Sequence, residues 1–186
     1  LWSSAEQQQN YLPGVPEGSD LCITPVSAPE NHYVRIKADN RLDADGTLRG
    51  TFTLTAEGQS DSNIRRIFTT GFQSEWKSTM ERQLLAISPK ARLLSVDYGK
   101  NPKDYQAAPI KITFRYEIPD YALRGEGEMF FRPMVMNNLY NQVRSYIWID
   151  TSVENRKYGF KDGCSRLVEL DETIQLPAGY KLVSAA

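Results

Sequence analysis

The sequence predicts an α+β fold, mostly antiparallel β: a β-sandwich with one helical insertion at about residues 61–88. Three observations lead there. Several segments alternate apolar and polar residues with a period of two, which marks half-buried strands. One stretch, 61–88, switches to helical spacing. The 186 residues are 40% hydrophobic and 11% aromatic. That is enough for one ordinary domain or two small ones, burying roughly 70% of the unfolded surface without needing a disulfide or metal. A closed barrel is the alternative arrangement of the same strands.

Residues 1–30 read as an extended connector. They include Gln7, Gln8 and Gln9, then Pro13, Gly14, Pro16, Gly18, Pro25 and Pro29; proline fixes φ and glycine opens positive φ, which is loop chemistry. A short strand is expected at Leu21–Thr24. The accessory sandwich is expected over 31–186. Val34, Ile36 and Ala38 share one face of its first strand, and Tyr33, Arg35 and Lys37 the other. Asp43-Ala44-Asp45-Gly46 supplies a turn with Gly46 in the left-handed region. On the next strand Leu48, Phe52, Leu54 and Ala56 point inward, and Thr47, Arg49, Thr51, Thr53 and Thr55 outward.

The helical stretch divides in two. Ile64, Ile67 and Phe68 share a face, with Asp61 or Ser62 as N-cap, and Gly71 interrupts. A second helix runs from Ser74 with Trp76, Met80, Leu84 and Ile87 in register, and Pro89 stops it because its ring cannot continue the ladder. Strands then resume at Leu93–Tyr98 and Ile110–Ile118. In the second of these Lys111, Thr113, Arg115 and Glu117 form the wet face. Pro119 ends it, and Tyr121–Arg132 is expected to return beside it. Arg144–Asp150 is apolar on both faces and so reads as central. A hairpin around Asp162-Gly163 joins Lys157–Lys161 to Cys164–Leu170. Glu172–Leu176 and Tyr180–Val183 close the chain across Pro177-Ala178-Gly179.

Charge narrows the function. Lys plus Arg number 22 and Asp plus Glu 23, a net charge of −1. The basic residues are scattered in pairs such as Arg65–Arg66. A nucleic-acid binder carries a basic field, which this chain lacks. No segment reaches the ~20 apolar residues that span a bilayer. The chain begins at Leu1 rather than Met, as a processed or truncated piece would. Cys22 and Cys164 fit either a disulfide in an oxidising compartment or two buried thiols.

Candidate chemistry is sparse. A Cys22–His32 dyad would use the only histidine, but a working site also needs a third, orienting group. The simpler reading has Cys22 in a core and His32 at a strand entrance. Zinc takes four ligands, and the chain holds three His and Cys residues in all. Asp39, Asp43 and Asp45 are calcium candidates, yet Asp43-x-Asp45-Gly46 lacks the other ligand positions of a calcium loop and reads as a turn. Gly125-Glu126-Gly127 is followed by Glu128, and two acids there would repel a phosphate, so a bulge or close backbone approach explains it better. Tyr140, Trp148, Tyr158 and Phe160 are candidates for a sugar-stacking platform against the simpler reading of core aromatics. No catalytic, cofactor-binding or metal residue is assigned, and no cofactor is implied.

The run Leu1-Trp2-Ser3-Ser4-Ala5-Glu6-Gln7-Gln8-Gln9-Asn10-Tyr11-Leu12-Pro13-Gly14-Val15-Pro16-Glu17-Gly18 resembles the segment after the catalytic core in bacterial multidomain transglutaminase-like proteins. The tail from Arg166-Leu167-Val168-Glu169 to Ile174-Gln175-Leu176-Pro177-Ala178-Gly179-Tyr180 resembles the end of their C-terminal β-domains. The resemblance implies a non-catalytic accessory domain whose partner is an upstream papain-like core of the same polypeptide, in a periplasmic or cell-surface location. No residue here matches that core's Cys-His-Asp motif. A glycan- or cell-wall-binding module is the alternative, and a Cys22/His32 hydrolase the third reading.

Overall fold

The computed structural model describes residues 6–107, 109–135, 152, 154–155, 157–158 and 165–183. In chain order the elements are β1 (Asn10–Tyr11), β2 (Cys22–Ile23), β3 (Tyr33–Leu42), β4 (Leu48–Ala56), α1 (Gly58–Thr69), α2 (Trp76–Leu85), β5 (Arg92–Asp97), β6 (Ile110–Ile118), β7 (Leu123–Arg124), β8 (Met129–Phe130) and β9 (Leu167–Gln175). The main sheet has the order β5-β6-β4-β3-β9. Every pairing in it is antiparallel except that of β3 with β9.

Alternation explains the sheet. Even-numbered positions of β3, β4 and β6 share one face, because their registers align Ala38 with Phe52 and Phe52 with Phe114. Val34, Ile36, Leu42, Leu48, Ile112 and Ile118 are buried on it, and Phe52 stacks on Phe114 at 4.3 Å between centroids. Their odd-numbered neighbours form a polar outer face. The hairpin between β3 and β4 is as the turn chemistry predicts: Gly46 donates to the Asp43 carbonyl at 2.9 Å and has φ 82°.

The helices cover the inner face. Ile64, Phe68, Trp76, Met80 and Leu84 join the sheet's apolar side chains in one core. Phe68, Trp76 and Tyr98 meet edge to face, with centroids 5.2 to 5.6 Å apart. The α+β, mostly antiparallel class therefore holds. Among the described residues the covering layer is helical and the remaining strand pairs are two-residue ladders, so no second sheet completes a sandwich there. No helix of the described residues is long and apolar enough to cross a membrane.

Several local expectations need correction. Asp61 and Ser62 lie inside α1, whose N-cap is Glu57. Asp61 instead receives Arg65 Nε at 2.6 Å and the Ile110 N–H at 2.7 Å. Ile67 is exposed while Ile64 and Phe68 are buried. Thr47, expected outward, is buried at the turn, its N–H donated to Asp45 Oδ1 at 2.9 Å. Tyr121–Arg132 does not return beside β6. It folds on itself as β7 and β8, because β6 already has β4 and β5 on its two sides. Gly125 and Gly127 belong to that hairpin's loop, with open space where a Cβ would stand, so neither marks a bulge or close approach. The two strands expected around Leu170 and Glu172 are one strand, β9. The Pro177 turn forms, with Tyr180 donating to the Pro177 carbonyl at 3.1 Å, but no strand follows it. Lys157 and Tyr158 lie in a bend. The strand expected at Arg144–Asp150, most of the Asp162-Gly163 hairpin, Cys164, Tyr140, Trp148 and Phe160 lie outside the described residues.

Candidate functional site

The outer face of the sheet is laid out in rows by strand register. One row runs Thr173 on β9, Asp39 on β3, Thr51 on β4 and Arg115 on β6. The next row places Arg41 beside Arg49, and Arg49 beside Glu117. These rows line a shallow groove of about 430 Å³ that also takes in Leu94 and Gln175.

Ion pairs tie up one end of the groove. Asp43 receives Arg41 at 2.8 Å on one oxygen and Arg49 on the other. Glu117 receives Arg49 at 3.4 Å and Arg92 at 3.2 Å. Three guanidinium groups thus share two carboxylates. The middle row differs. Among the described residues Arg115 has no carboxylate partner and Asp39 no cationic one. Thr51 stands between them, so two strand spacings, roughly 10 Å, keep the two charges from pairing directly. The outward alternation of β3, β4 and β6 was readable from sequence. That Asp39, Thr51 and Arg115 fall in one row was not, because register between distant strands leaves no local signal.

Nothing matches by comparison. No family model, curated protein or solved structure matches this chain. The reading of the site therefore rests on its own geometry.

The residues singled out for chemistry are dispersed. His32 is buried directly before β3. Its Nδ1 accepts the Gln59 backbone N–H at 3.0 Å, and the Gln7 side-chain amide lies 3.2 Å from Nε2. Burial lowers its pKa below 6.5, helped by the positive charge of Arg166. Cys22 is half-buried on β2 rather than in the core, a free thiol directed at the Asp20 carbonyl. Imidazole and thiol therefore have different partners. Asp43 is held by two arginines, and Asp45 accepts from Thr47, a bond that lowers its pKa. No three His, Cys, Asp or Glu side chains of the described residues gather as a metal site, so Asp39, Asp43 and Asp45 do not converge. Tyr158 is exposed.

A polar cluster that the sequence did not reveal lies under the sheet's inner face. Glu172 of β9 accepts from Asn40 Nδ2 at 2.7 Å and from the backbone N–H groups of Met134 and Val135 at 3.2 and 2.9 Å. Tyr116 donates to Asn40 Oδ1. A signal did exist: Asn40 and Glu172 are polar residues at inward positions of alternating strands. Such groups persist in a core only when hydrogen-bonded. Here they fix β9 and residues 134–135 to the sheet.

Proposed function

We propose that this chain is a non-catalytic interaction domain that engages a polypeptide partner across the outer face of its sheet. One observation carries the reading: Arg115 and Asp39 stand in one row of a groove with their charges uncompensated among the described residues. A polar segment presenting a carboxylate to Arg115 and a cation to Asp39 would satisfy both, and Thr51 and Thr173 add hydroxyls between them. Charge complementarity of this kind selects a partner and fixes its register. The burial of His32, with Nδ1 accepting from Gln59, and the direction of the Cys22 thiol to the Asp20 carbonyl support a non-catalytic role, since a nucleophile needs an adjacent base.

The resemblance of the chain's ends to transglutaminase-like proteins suggests the partner: an upstream core of the same polypeptide, in a periplasmic or cell-surface setting. A glycan partner is less well served, because among the described residues the only aromatic one lining the groove is the fully buried Tyr116, and sugars stack on exposed rings.

A photo-crosslinking residue placed at Thr173, within the polypeptide that carries this domain, tests the reading. Crosslinks to one discrete segment, lost on Arg115→Glu, are the expected result. Labelling no greater than from the same probe at Lys77 on α2 would remove the proposal.

A further inference from the structure

Six of the seventeen large hydrophobic side chains exposed among the described residues crowd into positions 11 to 26: Tyr11, Leu12, Val15, Leu21, Ile23 and Val26. Such crowding marks an interaction surface, whereas singly exposed leucines do not. Leu12, Leu21 and Ile23 are the most open, 66 to 71% exposed. The backbone that presents them is fixed. β1 and β2 pair antiparallel, and Thr24 exchanges backbone hydrogen bonds with Gln8 and Gln9 at 3.0 and 2.9 Å. The buried Gln7 side chain accepts the Ser27 N–H at 3.1 Å. Among the described residues neither strand of this ladder pairs with a further one.

Charge identifies the chemistry that covers it. Segment 6–31 contains Glu6, Glu17, Asp20 and Glu30 and neither lysine nor arginine. All four acids are exposed, and Glu17 and Asp20 have no cationic partner among the described residues. Membrane surfaces are negative and attract basic segments, so they repel this acidic one. A second copy of the ladder would bring acid against acid. Alternation adds a further condition. In Asp20-Leu21-Cys22-Ile23, which runs into β2, the strand period sets Leu21 and Ile23 on one face and Asp20 on the other.

We propose that β2 accepts a third strand from a partner polypeptide whose side chains alternate between apolar and cationic. Main-chain hydrogen bonds hold the added strand, and its apolar side chains cover Leu21 and Ile23. Its lysines or arginines meet Asp20, in the negative field to which Glu17 contributes. The surface uses no residue that lines the groove of the outer face, so it is a second contact that stands or falls independently of the first.

NMR of the isotope-labelled intact chain, titrated with a hexapeptide of alternating lysine and valine, tests this. Saturable shifts are expected at the amides of Leu12, Leu21 and Ile23, with Ile36 and Phe114 unmoved. Glu17→Lys combined with Asp20→Lys should weaken binding about fivefold, and Ile23→Ser about tenfold. All three side chains are exposed, and unmoved Ile36 and Phe114 amides verify that each variant folds. A glutamate–valine peptide of the same length should not bind. The inference is overturned if the lysine–valine peptide leaves those amides unmoved at millimolar concentration, shifts only Thr51 and Arg115 in the groove, or binds no better than its glutamate counterpart. Shifts of the same amides with phosphatidylglycerol vesicles, or on concentrating the chain alone, would assign the surface to lipid or to a second copy and overturn it equally.

Discussion

Tyr116 on β6 donates its hydroxyl hydrogen bond to Asn40 on β3, two strands away, across the bare backbone of Gly50 on β4. The glycine makes the contact possible. A Cβ there would lie 2.0 Å from Asn40 Oδ1 and 2.5 Å from the Asp39 carbonyl, closer than atoms can approach. Gly50→Ala is therefore expected to destabilise the domain by about 2 to 3 kcal/mol, as overpacking does in a tight interior. Urea unfolding checks this: the midpoint should fall with the slope unchanged.

Glu172 ends the same chain of contacts. Its carboxylate satisfies two backbone N–H groups as well as Asn40, so Glu172→Ala orphans donors on Met134 and Val135, both buried residues. A loss of about 1.5 to 3 kcal/mol is expected for hydrogen bonds to a charged group. Hydrogen exchange should quicken first at Met134 and Val135. Unchanged exchange at those two amides would show that the carboxylate does not hold them.

Alkaline pH probes the buried phenols. Burial and the nearby Glu172 raise the pKa of Tyr116 and Tyr121 above the ordinary value of 10. A raised folded pKa contributes stability that is complete below pH 10 and is lost as pH rises beyond it. Denaturant midpoints should thus decline above about pH 10, and less steeply in Tyr116→Phe. At neutral pH that variant should cost about 1 kcal/mol for its lost hydrogen bond.

Among the described residues Asp61 and Arg65 form the most enclosed ion pair, at 2.6 Å with side chains 14% and 2% exposed. Arg65 also donates to the carbonyls of Pro102 and Asp104 at 3.0 and 2.8 Å. Removing one partner leaves the other charged and buried, so Asp61→Ala is expected to cost about 3 to 5 kcal/mol. Thermal unfolding at constant pH is the check.

These contacts also show where sequence reading succeeds. Period-two alternation in 33–56 and 110–118 marks both the strands and their buried faces, because burial on one side imposes it directly. The spacing of Trp76, Met80 and Leu84 marks the buried face of α2 for the same reason. Asp61 reads as a cap because aspartate is favoured there, but Arg65 and the Ile110 N–H bind it more strongly than a helix end would. Glu172 breaks the apolar rhythm of Val168, Leu170 and Ile174, which makes one strand read as two. Its partners, Asn40 and residues 134–135, lie far away in sequence. Parallel pairing of β9 with β3 spans more than a hundred residues and has no local signature. The groove on the outer face depends on that same long-range register.

Leu94 offers the most direct test of the docking face, since it lines the groove and is half exposed. Hydroxyl-radical footprinting can compare its oxidation in this chain alone and in the larger polypeptide proposed above as its carrier, with Phe72, exposed between the helices, as reference. Slower labelling of Leu94 in the larger polypeptide, reversed by Arg115→Glu while Phe72 is unaffected, is the predicted result. Equal labelling of Leu94 in both settings would contradict the account.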